Sequence, residues 1–230
     1  MRTVARRART ILLILLCLGG AGLASLIPIH PPLPQDGGLV YAPGEMVAGA
    51  TLGEWSARHW QWTLSQPIGV NPGQDVTGAS CADGQEGPVF FLPRNFAPCR
   101  VPTATLIFVP IVGTECSTVE PPPYTGRSEE ELRTCASQDV DRYTNITVRI
   151  DGEAVPDVAT FRTVSPIFHV TLPEHNVLGV PGGDAEAVSD GYHLLLAPLL
   201  PGEHQVMVHA ELADGTVLPD KVIHITVVDA

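Results

Sequence analysis

From residue 143 onward, apolar and polar side chains alternate in short runs separated by turn residues, the period of strands with one buried face. Ile146, Val148 and Ile150 alternate with Thr147, Arg149 and Asp151, and Phe168, Val170 and Leu172 repeat the pattern. Tyr192 to Leu196 forms a further strand. His204, Val206, Val208, Ala210 and Leu212 then face one way, with Glu203, Gln205, Met207, His209 and Glu211 opposite, and Val222 to Val228 is the last run. Asp151-Gly152, Pro201-Gly202 and Asp214-Gly215 supply the turns. Earlier in the chain GPVFFLP and ATLIFVPIV are continuous apolar runs, too short for helices and rich in Val, Ile and Phe, which reads as fully buried strands. Strands with turns at roughly ten-residue spacing predict a mainly β fold, an antiparallel β-sandwich.

Two segments depart from this period. Thr51 and Glu54 have capping-box spacing and Pro67 follows the last turn, so a helix is predicted from about Leu52 to Ser65. It holds all three tryptophans. Trp55, His59 and Trp62 fall at i, i+4 and i+7 and share the face expected to pack on the sheet. Trp60 points elsewhere, which makes Trp60, with Arg58 and Gln61 as hydrogen-bond donors, the candidate ligand-binding platform, suited to sugar rings. A second capping box, Ser128 with Glu131, opens EEELRTCASQDVDRY, with Leu132, Cys135 and Ala136 on one side. One or two peripheral helices are thus expected.

The N-terminus runs from a basic stretch with Arg2, Arg6, Arg7 and Arg9 into an apolar run at Ile11 to Leu18 and small residues thereafter. That order predicts a signal peptide over residues 1–24, with an uncleaved membrane anchor as the alternative. Residues 25–50, containing PPLPQDGG, read as a Pro/Gly-rich tether, and residues 51–230 as one domain. The chain carries a formal charge of −12; losing the four early arginines leaves nine basic residues against 25 acidic ones, or −16. Nucleic acid is therefore excluded as a partner, and a membrane contact is expected only through an uncleaved N-terminal segment.

Four cysteines follow the leader. An even set in an exported chain predicts two disulfides among three connectivities. Cys81 with Cys99 and Cys116 with Cys135 is favoured, because each pair brackets an irregular segment. Zinc is the competing use of four cysteines, but no CxxC pair occurs, and the eight histidines lack metal-ligand spacing. No metal and no cofactor is expected. His209 and His224 are placed on one polar sheet face. Asp139 with Asp141, and Glu115 with Glu120, are the carboxylate pairs a hydrolase could use, and GxSxG is missing.

GEWSARHWQW, CADGQEGPVFFLP, CRVPTATLIFVPIVGTECS, SEEELRTCA, SPIFHVTLPEHNVLG and VSDGYHLLLAPLLPGEH together resemble a family of exported bacterial proteins to which no activity is attached. The resemblance spans about Gly53 to Val228 and implies export and a bacterial source. The closing LAPLLPGEHQVMVHAE looks like the last strands of immunoglobulin-like extracellular domains, so the sandwich is expected to be immunoglobulin-like or jelly-roll-like. The function expected is a secreted or envelope-associated binding or surface-structural module with an extracellular ligand, carbohydrate by preference and more a binder than an enzyme. The alternative is a secreted hydrolase with a carboxylate site near the tryptophan helix and the loops around Asp83, Glu86 and Glu115.

Overall fold

The computed structural model describes residues 33–35 and 37–229. The leader expected over residues 1–24 lies outside the described residues. The chain is mainly β, with 38% strand and 15% helix. In order it forms α1 (Leu52–Ser65), β1 (Val89–Phe91), β2 (Cys99–Pro102), β3 (Leu106–Ser117), α2 (Glu129–Val140), β4 (Tyr143–Ile150), β5 (Glu153–Ala154), a 3-10 turn (Val158–Phe161), β6 (Arg162–Val164), β7 (Phe168–Leu172), β8 (Gly183–Leu196), β9 (Gly202–Leu212) and β10 (Lys221–Val228). One five-stranded sheet has the order β1-β3-β8-β6, with β7 also on β8; the other has the order β2-β10-β9-β4-β5.

The antiparallel sandwich expectation needs correction. Both sheets are mixed, because β1 runs parallel to β3 and β2 runs parallel to β10. The cause is local. Between β1 and β3 the chain does not turn back as a hairpin; it leaves the first sheet, lays β2 against the second, and returns. A strand re-entering after such an excursion can run in the original direction. The remaining pairings are antiparallel, and one buried cluster holds Phe108, Leu194 and Leu196 of the first sheet together with Val206, Ile223 and Ile225 of the second. The predicted turns are found: Asp151 and Gly152 both take positive φ between β4 and β5, as a tight hairpin requires.

β3 and β8 form the longest ladder, from Ile107 opposite Leu196 to Ser117 opposite Ala187. Ala185 and Ala187 join the cluster under α1, whereas Val188 and Cys116 join Leu132 and Ala136 under α2. Successive side chains point to opposite faces of a strand, so the two helices cover opposite faces of this strand pair. The tether expectation fails over its second half. Val40 bridges to Leu196, the Tyr41 N–H donates to the Leu195 carbonyl, and Tyr41, Val47 and Ala50 are buried. β6 reaches only to Tyr192 along β8, and residues 39–41 take up the edge groups beyond it, satisfying a backbone that would otherwise be unpaired.

Both disulfides have the predicted connectivity, Cys81–Cys99 and Cys116–Cys135, and close separations of 18 and 19 residues. Such bridges fit an oxidising, extracytoplasmic compartment. Among the described residues no helix is long and apolar enough to cross a membrane. Cys116–Cys135 ties α2 to β3, and the rest of that cluster is small. Cys135→Ser should therefore lower stability by about 2 to 5 kcal/mol, read as the shift in denaturant midpoint of the oxidised proteins.

Candidate functional site

α1 is set by its N-terminus. The Glu54 N–H donates to the Thr51 hydroxyl, and the Thr51 N–H donates to the Glu54 carboxylate at 2.7 Å, closing the capping box. α2 begins similarly at Ser128, but its Glu131 carboxylate accepts from the Arg127 N–H. The predicted α1 face is buried: Trp55, His59 and Trp62 gather around Phe91, and His59 stacks on Phe108 at 5.1 Å. The indole N–H of Trp55 donates to the Val47 carbonyl and that of Trp62 to the Asp83 carbonyl.

Trp60 is not the exposed platform expected. It is 4% exposed, packed with Leu64, Phe168, Val170 and Leu172, and carries the Arg94 guanidinium 4.4 Å from its ring. The reason is that α1 is covered on its second side by β7 and β8, so it is a central helix and not a peripheral one. Arg58 and Gln61 do reach the surface. Arg58 lies over the Trp55 ring at 4.3 Å, and Gln61 donates to the His169 carbonyl at 2.8 Å. They line a groove of about 620 Å³, floored by Trp55, Trp62 and Phe91 and rimmed by Ser65, Gln66, Glu86, His169 and Thr171.

Beneath α1 is a polar group that sequence reasoning missed. The Ser56 hydroxyl lies 2.9 Å from that of Ser189 and 3.0 Å from His193 Nε2, all three residues being buried. The signal was a histidine inside the apolar run of β8. Gly113 and Gly191, opposite each other on β3 and β8, make room for its ring: a Cβ on Gly191 would lie 2.8 Å from the His193 Cε1 and 2.5 Å from the Val112 carbonyl oxygen. His59 donates from Nε2 to the Leu92 carbonyl at 3.1 Å, since a carbonyl only accepts, and its Nδ1 has no partner. Burial, then the Arg94 charge, pushes His59 down to about 3, and burial lowers His193 well below the ordinary histidine range. Both imidazoles are neutral at physiological pH. The Ser56–His193 contact has dyad geometry, but His193 Nδ1 has no acceptor to orient it, and neither residue lines any of the cavities beside α1, beside α2, between the sheets or along residues 150–161.

The carboxylates separate into two kinds. Asp139 pairs with Arg142, and Asp141 with Arg162, which also holds the buried Asp190 at 2.7 Å and thereby joins α2, β6 and β8. Glu115 and Glu120 are drawn together. Burial, then the Glu120 charge, raises Glu115 to about 8, while burial lifts Glu120 to about 6 against a hydrogen bond from Ser117 at 2.9 Å. Arg94 is the nearest countercharge to Glu115, yet no ion pair forms on Arg94 among the described residues; its guanidinium donates to the Gly113 carbonyl. Asp83 and Glu86 are part of the α1 groove region and not of this pair. His209 and His224 share the polar face of adjacent strands β9 and β10, as expected, but are displaced along it: His209 lies between Asp220 and Glu211, whereas His224 opposes Gln205. Among the described residues no group of three or more His, Cys, Asp or Glu side chains could hold a metal ion. Comparisons with protein-family models, curated proteins and solved structures find no match.

Two outcomes follow. Trp60→Ala should cost about 3 to 5 kcal/mol, as large core truncations do, and not the small loss an exposed tryptophan would show; thermal unfolding checks it. Folded protein keeps the Glu115 proton up to about pH 8, whereas the unfolded chain releases it near 4.5, so across that window the folded state binds more protons and stability falls as pH rises. His59 acts oppositely, its contribution being present above 6.5 and lost as pH falls toward 3. Glu115→Gln should therefore stabilise the protein progressively between pH 4.5 and 8, by about 2 kcal/mol or more at the upper end, with little gain at pH 4.5, measured by urea unfolding at each pH.

Proposed function

We propose that the chain is an exported, extracytoplasmic binding module whose ligand is a carbohydrate seated in the groove along α1. The observation that carries this reading is the makeup of that groove: an aromatic floor, ringed by planar or hydroxyl-bearing polar side chains from three separate segments, at a volume of about 620 Å³. Its volume falls within the range usual for small-ligand sites. Sugars present apolar ring faces and a dense set of hydroxyls, and Arg58, Gln61, Glu86 and Thr171 supply donors and acceptors at the rim. Arg58 rests on Trp55 and so begins in a fixed plane, which lowers the ordering cost of binding. Export accords with the two disulfides and the strong negative charge. The two sheets with a shared buried cluster act, in this reading, as the layers of a sandwich that carries the groove on a rigid frame.

The binding reading is preferred over a carboxylate-based hydrolase because Glu115 and Glu120 line neither this groove nor the cavities beside α2, between the sheets or along residues 150–161. The test is retention of purified protein in gels cast with cell-wall and plant polysaccharides, followed by calorimetry with the best oligosaccharide. Arg58→Ala and Gln61→Ala should each weaken binding by about tenfold at unchanged melting temperature. Failure of the native protein to be retained by any polysaccharide, or full affinity in the double variant, would sink the proposal.

A further inference from the structure

A second cavity, unconnected with the α1 groove, opens between the two sheets. Its volume is about 200 Å³, the space of roughly seven waters at ~30 Å³ each. Pro110, Ile111 and Val112 of β3 form one wall and Val208 and Ala210 of β9 the other. The polar groups on it are Arg94, Tyr143 and Lys221, and no acidic side chain lines it.

In a chain of net charge −12 this is anomalous. Lys221 is the single lysine of the sequence, and it stands at the same cleft as an arginine that forms no ion pair among the described residues. The Arg162 guanidinium, by contrast, is held by two carboxylates and a carbonyl. Among the described residues Arg94 donates one hydrogen bond, to the Gly113 carbonyl, and lies on the Trp60 ring face, with no carboxylate in ion-pair contact. Of the two carboxyls that act on Arg94 from a distance, Asp139 is paired with Arg142, and Glu115 is raised to about 8 by burial and then by the Glu120 charge. A cation removed from water without a counterion is costly, and an arriving anion recovers that cost. The guanidinium offers the planar donor pair that matches a carboxylate, while the apolar walls suit a short hydrocarbon chain.

We propose that this inter-sheet cleft binds a small aliphatic monocarboxylate, its carboxylate on Arg94 with Lys221 at the rim, and its chain between β3 and β9. The groove along α1 and this cleft are independent sites.

Calorimetry of the full chain with sodium butyrate, and with uncharged butyramide as the isosteric control, tests it. Butyrate should bind, and butyramide should bind about tenfold more weakly or not at all, the effect of losing a charge-assisted pair. Arg94→Gln should abolish the difference between them. Because Arg94 also holds Gly113 and Trp60, the exposed Lys221→Gln carries the test if that variant fails to fold; it should weaken butyrate about threefold at unchanged melting temperature. Arg58→Ala should leave butyrate binding intact, so that failure here and failure of the carbohydrate reading are separable. No heat with butyrate, equal affinity for butyrate and butyramide, or unaltered butyrate affinity in Lys221→Gln would overturn the assignment.

Discussion

Everything in this structure is arranged around the β3–β8 ladder, because that pair of strands is covered on both faces. α1 seals one side through Ala185 and Ala187, α2 seals the other through Val188 and the Cys116–Cys135 bridge, and the far end runs into the core shared with the second sheet. A two-stranded unit so enclosed has no water available to satisfy a polar side chain, and each such group must be neutral, paired or given a route to an opening. Even the backbone shows this constraint: Gly113 and Gly191 oppose each other where the His193 ring lies over the two strands.

The polar residues on the ladder meet the constraint in different ways, and the differences separate frame from site. On the α2 side, Asp190 stays charged because Arg162 fills its oxygens, and the same guanidinium reaches Asp141 and the Ser137 carbonyl. That network ties three elements together and leaves nothing over. On the α1 side, Ser56, Ser189 and His193 share hydrogen bonds with the imidazole held neutral, and Glu115 is held protonated. Neutrality there is achieved by shifting protons, which ties the stability of this layer to pH in two opposed windows.

Much of the frame was legible in the sequence because it depends on short-range rules. The α1 boundaries follow from a capping box and a proline, the hairpins from Asp-Gly pairs, and the two bridges from cysteines that bracket irregular segments. Strand direction was not legible. Parallel pairing of β1 with β3 comes from a detour of the intervening chain into the other sheet, a fact about tertiary path that no local period encodes. The same limit explains Trp60. Helical periodicity divides a helix into a buried and a solvent face only when one side is covered, and α1 is covered on two, so Trp55, Trp60 and Trp62 are all interior while Arg58 and Gln61 keep the surface. Residues 39–41 were read as tether from their Pro- and Gly-rich neighbours, yet Val40 and Tyr41 carry the side chains of a strand and complete the edge of β8.

Arg94 is the residue whose role sequence reasoning had least chance of finding, and the ladder explains why. It follows β1 in a proline-flanked turn, where an arginine ordinarily projects into water. Here the turn folds back over β3, so the guanidinium meets the Gly113 carbonyl and the Trp60 face and is desolvated without acquiring a carboxylate. The enclosure of β3 and β8 is what denies it Glu115, since burying that side chain drives it to its uncharged form. A guanidinium with no carboxylate in ion-pair contact among the described residues thereby stands at an apolar cleft between the sheets. The same packing that holds the sheets together thus creates an electrostatic demand which a bound anion can meet.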